Sequence, residues 1–311
     1  MAATDPWTIG WREPAYPAAL LELGRVGRGG RRASSDGGAP TIIHGCGSRD
    51  LVAGLGAGRA VTIVGARRCS TYGRRVAHEL AGSLSAAGLV VISGMAFGID
   101  TAAHLGALEA QGPTIAVLAG GPDVPYPPSS RRVHARILES GGATVAESEP
   151  GRSPARWDFP ARNRIMAALA EVTVVVEATE RSGSRITADV ALHLGRDVGA
   201  VPGPIHSALS AGPHALLCDG AFPVTGAQDI LDRLLGVGAV SATRIGPAIE
   251  PELKAVLDAV ECQGASAELV AARCAVRPPA LAVALARLEL LGYLRHDAGR
   301  YVPTGLTPSG A

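Results

Sequence analysis

The chain has 311 residues, of which 47% are hydrophobic and 18% charged, so it can bury a sizeable core and is neither disordered nor fibrous. Its formal charge is +1, from 29 basic and 28 acidic residues, which gives no overall sign of a nucleic-acid partner. Lys254 is the only lysine and follows no glycine loop, which excludes a phosphate-binding loop of the G-x-x-x-x-G-K-[ST] type.

The five cysteines, at positions 46, 69, 218, 262 and 274, form no C-x-x-C pair and are odd in number. This usage argues against a disulfide framework or a zinc ribbon. No uninterrupted apolar run approaches the roughly 18 residues of a membrane span. The first 20 residues carry charges and prolines that a signal peptide lacks. We therefore expect a cytoplasmic protein in a reducing compartment, with no membrane span.

The segment 1–58 is predicted to be an irregular lead-in, with a Gly/Arg-rich loop at 25–38 that has too few apolar residues to pack. From 59 to 236, short apolar runs alternate with stretches of helical spacing. The predicted strands cover 60–64, 89–93, 114–118, 143–146, 172–177 and 197–201, and the predicted helices cover 74–87 and 101–110 and lie near 131–140, 162–170 and 187–194. This alternation predicts an α/β fold with a doubly wound, mostly parallel sheet between helices. Ligands of such sheets bind beyond the carboxyl ends of the strands.

The C-terminal part of the chain is predicted to be a separate small module. Residues 237–249 are typical of a linker, and three helical stretches followed by two short strands over 250–304 predict a winged helix, with a tail at 305–311. Six cations and seven anions lie between Glu250 and Tyr301. This slightly acidic balance favours a protein contact over nucleic-acid binding for the module.

The turn after the first predicted strand of the sheet is rich in arginine. Between Arg59 and Arg75 the chain has five arginines and no acidic residue, a local charge of +5. Gly65, Arg67 and Arg68 lie in the turn, which lacks the G-x-G-x-x-G fingerprint but offers backbone N–H groups at a helix start. The pattern favours an anion site, and the alternative is a solvated helix start.

Two further turns at the same edge contain glycines and an aromatic residue. Gly94 and Gly98, in the turn 93–100, permit close approach of a ligand, while Asp100 is typical of an N-cap. Tyr126, in the rigid loop 120–128, is a candidate either to stack on a base or to pack within its own loop.

Polar residues occur at two more predicted turns. Arg162, Asn163 and Arg164 are predicted at a helix start, where they suit phosphate contacts, with surface capping as the alternative. The segment 182–187, with Ser182, Ser184 and Thr187, is predicted to form a hydroxyl-rich anion nest after a buried strand. Together the turns line one rim of the sheet with groups that suit a polyanion.

Signals for enzyme chemistry are poor. The chain has no H-E-x-x-H, no G-x-S-x-G and no His/Cys cluster with metal spacing. His104 is a candidate general base beside Asp100, but a structural helix histidine is the favoured interpretation. Glu177 is a candidate ribose ligand at a strand end. We expect a protein without catalytic residues, cofactor or metal.

Several motifs, in order, strongly resemble those of the bacterial DNA-processing protein A (DprA/Smf) family. They are V-G-A-R at 64–67, S-G-M-A-F-G-I-D at 93–100, Y-P at 126–127, F-P-A-R-N-R at 159–164, V-V-E-A at 175–178, S-G-S-R-I-T-A at 182–188 and V-P-G at 201–203. The resemblance spans roughly residues 40–236 and implies a Rossmann-like domain that binds single-stranded DNA, with no established catalytic activity. It further implies a homodimer that protects incoming DNA in natural transformation and loads RecA, with single-strand-binding protein as a further candidate partner.

The resemblance also places a DNA groove at the rim of the sheet. The candidate nucleic-acid contacts are Gly65, Arg67, Arg68, Gly94, Phe97, Gly98, Tyr126, Arg162, Asn163, Arg164, Ser182 and Ser184. Phe97 stands where the family often has arginine, which removes a cation but adds a ring that can stack on a base.

Two other functions stay open on the sequence alone. The main alternative is a nucleotide-processing enzyme of the phosphoribohydrolase type, although the P-G-G-x-G-T-x-x-E motif of those enzymes is absent at Pro202-Gly-Pro204. A protein-interaction scaffold that uses only the winged helix is the third.

Overall fold

The computed structural model describes residues 5–26, 38–56, 58–240, 244–260, 265–274, 276–297, 299–303 and 306–309. The chain divides into two compact units, Met1–Ala242 and Thr243–Ala311. The division falls within the predicted linker.

Nine strands of the first unit form one sheet. They are β1 (Trp7–Gly10), β2 (Ile42–Gly47), β3 (Ala60–Val64), β4 (Val90–Ser93), β5 (Thr114–Val117), β6 (Ala143–Ala146), β7 (Val172–Val175), β8 (Asp197–Ala200) and β9 (Phe222–Pro223). Their order is β1-β2-β6-β5-β4-β3-β7-β8-β9. Only β2 runs against its neighbours, β1 and β6, while the other pairs are parallel. The predicted α/β fold with a mostly parallel sheet is confirmed.

Helices cover both faces of this sheet. They are α1 (Ala18–Leu21), α2 (Leu23–Val26), α3 (Arg49–Ala53), α4 (Thr71–Ala86), α5 (Ile99–Glu109), α6 (Arg131–Glu139), α7 (Asp158–Leu169), α8 (Gly183–His193), α9 (Ala211–Cys218) and α10 (Ala227–Leu235). Along β3, Ala60 and Val64 belong to a core cluster with α7 and α8, whereas Val61 and Ile63 belong to one with α4 and α5. This two-sided burial explains why β3 is an uninterrupted apolar run.

The prediction of an irregular segment over 1–58 is wrong where β1 and β2 form. Trp7 lies opposite Gly45 in their register, and its indole Nε1 donates a hydrogen bond to the Gly47 carbonyl oxygen at 3.0 Å. A Cβ at Gly45 would overlap the Trp7 ring, so the glycine that weakens the local strand signal is what lets the ring pack. Most of the predicted Gly/Arg-rich loop, residues 27–37, lies outside the described residues.

The described part of the second unit contains three helices and two short sheets. The helices are α11 (Pro251–Asp258), α12 (Ala267–Cys274) and α13 (Pro278–Leu290), and the strands are β10 (Arg244–Gly246), β11 (Leu294–Asp297), β12 (Arg300–Pro303) and β13 (Leu306–Pro308). The antiparallel pair β11–β12 follows the three helices, which is the element order predicted for a winged helix. The parallel pair β10–β13 lies where a linker and a tail were predicted. These strands were not predicted because they are short and pair only with each other across the module, which leaves little local signal in the sequence.

Within the described ranges, no single helix is long and apolar enough to cross a membrane. Two helices separated by a sharp bend, Ala267–Cys274 and Pro278–Leu290, meet the length and composition limits together. Buried core helices of water-soluble proteins meet the same limits, so this pair carries no membrane assignment.

Helices α4 and α5 pack closely enough to exclude side chains, which gives a test of the fold. A Cβ at Gly106 would overlap the His78 carbonyl oxygen, since the two backbones meet there. We expect Gly106→Ala to lower the free energy of unfolding by about 1–3 kcal/mol, in spite of the better helix propensity of alanine. Denaturant unfolding measures the change.

Gly183→Ala is the matched control for this prediction. Gly183 is also helical, but a Cβ there meets open space, so we expect no loss of stability. Equal stability changes in the two variants would contradict the assigned close packing of α4 on α5.

Candidate functional site

A cleft of about 730 Å³ opens at the carboxyl edge of the sheet. Strands β3 and β7 are neighbours there, and the chain leaves them toward opposite ends of the sheet, the arrangement at which open α/β sheets bind ligands. Eight of the predicted site residues line the cleft: Gly65, Arg67, Arg68, Tyr126, Arg162, Asn163, Ser182 and Ser184.

A second cavity of about 70 Å³ shares part of this lining and accounts for two more predicted residues. Gly94 and Phe97 line it together with Arg67 and Tyr126. Gly98 lines neither cavity: its φ is +80°, and a Cβ would overlap the Ala66 carbonyl oxygen. It is needed for the fit between two turns, because other residues rarely adopt this backbone conformation.

Glu177 fixes the arginine-rich turn that contains Arg67 and Arg68. Its carboxylate accepts hydrogen bonds from Ser70 N at 2.8 Å and Ser70 Oγ at 2.6 Å, and its carbonyl oxygen accepts one from Ala66 N at 2.6 Å. Both ends of the turn are therefore tied to one residue after β7. The carboxylate lies at the N-terminus of α4, where negative charge is favourable. It is used in capping, so the ribose-ligand interpretation of Glu177 loses its basis.

Arg162 lies under the floor of the cleft, only 7% exposed. Its Nη1 donates to the Gly94 carbonyl oxygen at 2.5 Å and to the Val117 carbonyl oxygen, and its Nη2 lies 3.8 Å from the Asp100 carboxylate. Burial lowers the pKa of Arg162, against the effect of Asp100, and raises the pKa of Asp100, against the effect of Arg162. Arg162 was predicted at a helix start. It is buried because it lies instead within the body of α7.

Arg164 lies away from the cleft. Its Nη2 contacts both carboxylate oxygens of Glu147 at 2.8 Å, and its Nε donates to the Gly38 carbonyl oxygen at 3.2 Å. Helix α7 begins at Asp158, with Pro160 in the first turn, where proline is tolerated, so residues 162–164 are in the helix body. Arg164 thus joins the segment before β2 to the residue after β6.

Three side chains form an aromatic and cationic group at the mouth of the cleft. The rings of Tyr126 and Phe159 are 5.4 Å apart and tilted by 54°, and the Arg67 guanidinium lies 5.1 Å from the Phe159 ring centre. Tyr126 and Phe97 remain 45% and 52% exposed. The site therefore offers rings and a cation to one ligand, which suits bases joined by phosphates.

The N-terminus of α8 forms another wall. Asn163 Nδ2 donates to the Gly183 carbonyl oxygen at 3.1 Å, and the hydroxyl oxygens of Ser182 and Ser184 are 2.7 Å apart. Thr187, one turn further on, lines the same cleft, and among the described residues its buried hydroxyl has no hydrogen-bond partner. These groups and the positive end of the helix dipole suit an anionic oxygen.

Sequence reasoning missed Arg156 as a lining residue, while Thr187 lay in the predicted anion nest but was not among the candidate contacts. Arg156 is exposed and, within the described ranges, pairs with no carboxylate, as also holds for Arg67 and Arg68. The position of Arg156 three residues before Phe159, next to the F-P-A-R-N-R motif, could have indicated that it lines the cleft. In the part of the chain that the structure describes, no group of histidine, cysteine and acidic side chains is arranged to hold a metal ion.

His104 is buried on α5 and does not line the cleft. Thr114 Oγ1 donates to the Val91 carbonyl oxygen at 2.7 Å, so it accepts its 2.8 Å bond from His104 Nδ1, which fixes the tautomer. Burial, with a smaller effect of Arg162, lowers the pKa of His104 to about 3. The imidazole is therefore neutral at pH 7, in agreement with the structural interpretation.

The fold and the cleft define a doubly wound α/β protein with an arginine-lined site at its switch point. Over residues 7–235 the sequence matches the family described as DNA recombination-mediator protein A, and the chain belongs to that family. It is 40% identical over 288 residues to the putative DNA processing protein DprA of Mycobacterium tuberculosis, covering 91% of this chain and 73% of that protein. Membership supports a role in DNA processing and recombination.

The chain resembles solved structures of DNA processing protein A. DNA processing protein A from Streptococcus pneumoniae is 38% identical with a TM-score of 0.63, covering 74% of this chain and 75% of that one. DNA processing protein A from Helicobacter pylori, whose structure concerns a single-stranded DNA binding mode, is 26% identical with a TM-score of 0.62. That match covers 76% of this chain and 98% of that one. The Rossmann-like fold is shared with both.

The buried His104 predicts an acid-dependent loss of stability. The folded-state pKa of about 3 lies below the ordinary value of 6.5, so between these values only the unfolded state takes up the proton. Stability is full above pH 6.5 and falls with decreasing pH by about 1.4 kcal/mol per pH unit until pH 3 is reached. Denaturant unfolding between pH 7 and 4 measures this slope.

His104→Phe should flatten this pH dependence, whatever its effect on absolute stability. His206→Phe, which changes an exposed histidine, should keep the wild-type dependence. An unchanged slope in His104→Phe would show that other groups dominate acid unfolding.

Proposed function

We propose that this protein binds single-stranded DNA in the cleft at the carboxyl edge of the sheet and acts as a recombination mediator without catalytic activity. The observation that carries the proposal is one cleft with three arginines, Arg67, Arg68 and Arg156, that pair with no carboxylate among the described residues. Phosphate contacts account for most nucleic-acid affinity, and exposed rings accept unpaired bases. The single-stranded DNA binding mode of the Helicobacter pylori protein supports the same ligand.

The proposal includes the steps that the family resemblance implies. The protein protects incoming DNA during natural transformation, acts as a homodimer, and loads RecA onto the strand, with single-strand-binding protein as a further partner. The neutral, buried His104 and the capping role of Glu177 support binding over catalysis, since neither side chain is available to a ligand in the cleft.

Arg67→Ala tests the cleft by its salt dependence. We expect weaker binding to single-stranded oligonucleotides and a slope of log affinity against log salt that is smaller by about 0.7, the value for one lost phosphate contact. Arg233→Ala is the matched control, because Arg233 also lies over a ring, that of Phe222, at 5.5 Å but pairs with Asp197 at the opposite edge of the sheet. Equal slopes in all three proteins would contradict the assigned site.

The same titration, repeated with double-stranded oligonucleotides, tests the ligand, and an assay of RecA assembly tests the partner. We expect the wild-type protein to prefer single-stranded over double-stranded oligonucleotides and to speed the assembly of RecA on a strand coated with single-strand-binding protein. Binding without an effect on RecA would leave a storage or shielding role, and release of free base from nucleoside monophosphates would favour the enzyme alternative.

Glu177→Gln tests whether the turn must be held for binding. The substitution weakens the charge-assisted hydrogen bonds to Ser70, so Arg67 and Arg68 lose their fixed position. We expect an affinity for single-stranded DNA that is roughly 3- to 10-fold lower, measured by fluorescence anisotropy.

Asp229→Asn is the control for this variant. Asp229 Oδ2 accepts hydrogen bonds from Thr225 N, Thr225 Oγ1 and Gly226 N at the start of α10, which is the same chemistry away from the cleft. We expect a comparable stability loss with unchanged affinity. If both variants bind DNA alike, Glu177 has no special part in positioning the turn.

A further inference from the structure

Trp157 is the most exposed of the described aromatic side chains, at 72%, and lies immediately before α7. The residues around it, Arg156 and Phe159, line the cleft. Since two successive residues span at most about 7 Å, the Trp157 backbone lies at the rim of the cleft. A single exposed apolar side chain is ordinary on a protein surface, so only the surroundings of Trp157 can give it a function.

The turn that carries Trp157 is held firmly in place. The Asp158 carboxylate accepts a hydrogen bond from Ala155 N at 2.7 Å and pairs with Arg152 at 2.9 Å, and Asp158 N donates to the Ala155 carbonyl oxygen at 3.0 Å. The exposure of the indole is therefore a property of an ordered turn and not of a poorly ordered loop. Because the backbone is already ordered, binding of a flat ligand to the ring costs side-chain but not backbone conformational entropy.

The rings inside the cleft have less free surface. Phe159 already contacts the Tyr126 ring and the Arg67 guanidinium, so less of its surface is open to a base. Within the described part of the chain, Trp157 makes no aromatic or cation–π contact. Its indole is therefore open to a ligand, and Arg156, which precedes it in the chain and lines the cleft, pairs with no carboxylate among the described residues.

We propose that Trp157 is the stacking platform for the nucleotide next to those held in the cleft, so that the strand continues from the cleft across the indole. The inference rests on the proposed single-stranded DNA function and names its ligand there: an unpaired base of any sequence, with its phosphate beside Arg156. A base pair within a duplex keeps its faces stacked on its neighbours, so the platform also selects against double-stranded DNA.

The test compares full-length wild-type, Trp157→Ala, Trp157→Leu and Trp157→Phe proteins in binding to oligo(dT). We expect Trp157→Ala to bind about 10-fold more weakly, Trp157→Leu to remain weak, and Trp157→Phe to recover most of the affinity, because stacking needs a ring. The slope of log affinity against log salt should not change in any of the three, since no charge is removed. This separates the platform from a phosphate contact.

Trp11→Ala is the matched control. Trp11 is also exposed, at 47%, and is also next to an arginine in the chain, Arg12, but its chain neighbours do not line the cleft, whereas Arg156 and Phe159 do. We expect wild-type affinity in this variant. Oligo(dT) should quench the indole fluorescence of the wild-type and Trp11→Phe proteins but not that of Trp157→Phe.

The possible outcomes are distinguishable. Wild-type affinity in Trp157→Ala, or full recovery by leucine, overturns the platform while the proposed function stands. A change in the oligomeric state of Trp157→Ala, followed by light scattering, overturns it in favour of self-association. If the wild-type protein does not bind oligo(dT) at all, the proposed function itself fails, and this inference with it.

Discussion

The site depends on one buried positive charge, the guanidinium of Arg162. Removing such a group from water is costly unless its donors are satisfied, and here they are shared between two neighbouring strands and a covering helix. Carbonyl oxygens of Gly94 and Val117 follow or end β4 and β5, and Asp100 belongs to α5. A side chain at Gly94 would overlap the guanidinium, so the glycine is needed to admit the charge. The floor of the cleft is thus an electrostatic joint between two strands and two helices.

The arginines divide into a structural and a ligand-facing set, which changes the meaning of the near-neutral net charge. Arg162 and Arg164 are buried and satisfied by carbonyl oxygens or carboxylates. Arg67, Arg68 and Arg156 face the cleft without such partners among the described residues. A formal charge of +1 is therefore compatible with a strongly cationic site, because the compensating acids lie elsewhere on the chain.

The sequence predicts the central sheet well because its strands are buried on both faces. The β-branched runs of β3 and β6 coincide with the predicted strands, and the other four central strands differ at their ends by one or two residues. Strands β1 and β2 escape prediction because they form only by pairing with distant partners, and β2 contains Gly45 and Gly47. Local propensity carries no information about such pairing.

Prediction of the site is good for turns and poor for individual side chains. Strand-end glycines and arginines locate the correct edge, since topology brings the carboxyl ends of parallel strands together. Whether an arginine is buried depends on where its helix begins, and the start of α7 at Asp158 turns Arg164 toward Glu147. The exposure of Trp157 and the unpartnered hydroxyl of Thr187 are properties of packing alone, with no counterpart in sequence pattern.

The cap on α4 couples two positions that are far apart in the chain. The Glu177 carboxylate occupies the space that a side chain at Gly73 would need. An alanine at 73 would expel the acid, and a shorter acid at 177 would leave a void beside the glycine. A substitution at position 73 or 177 alone therefore disturbs the cap. Relatives that keep this turn should vary at both positions together or at neither.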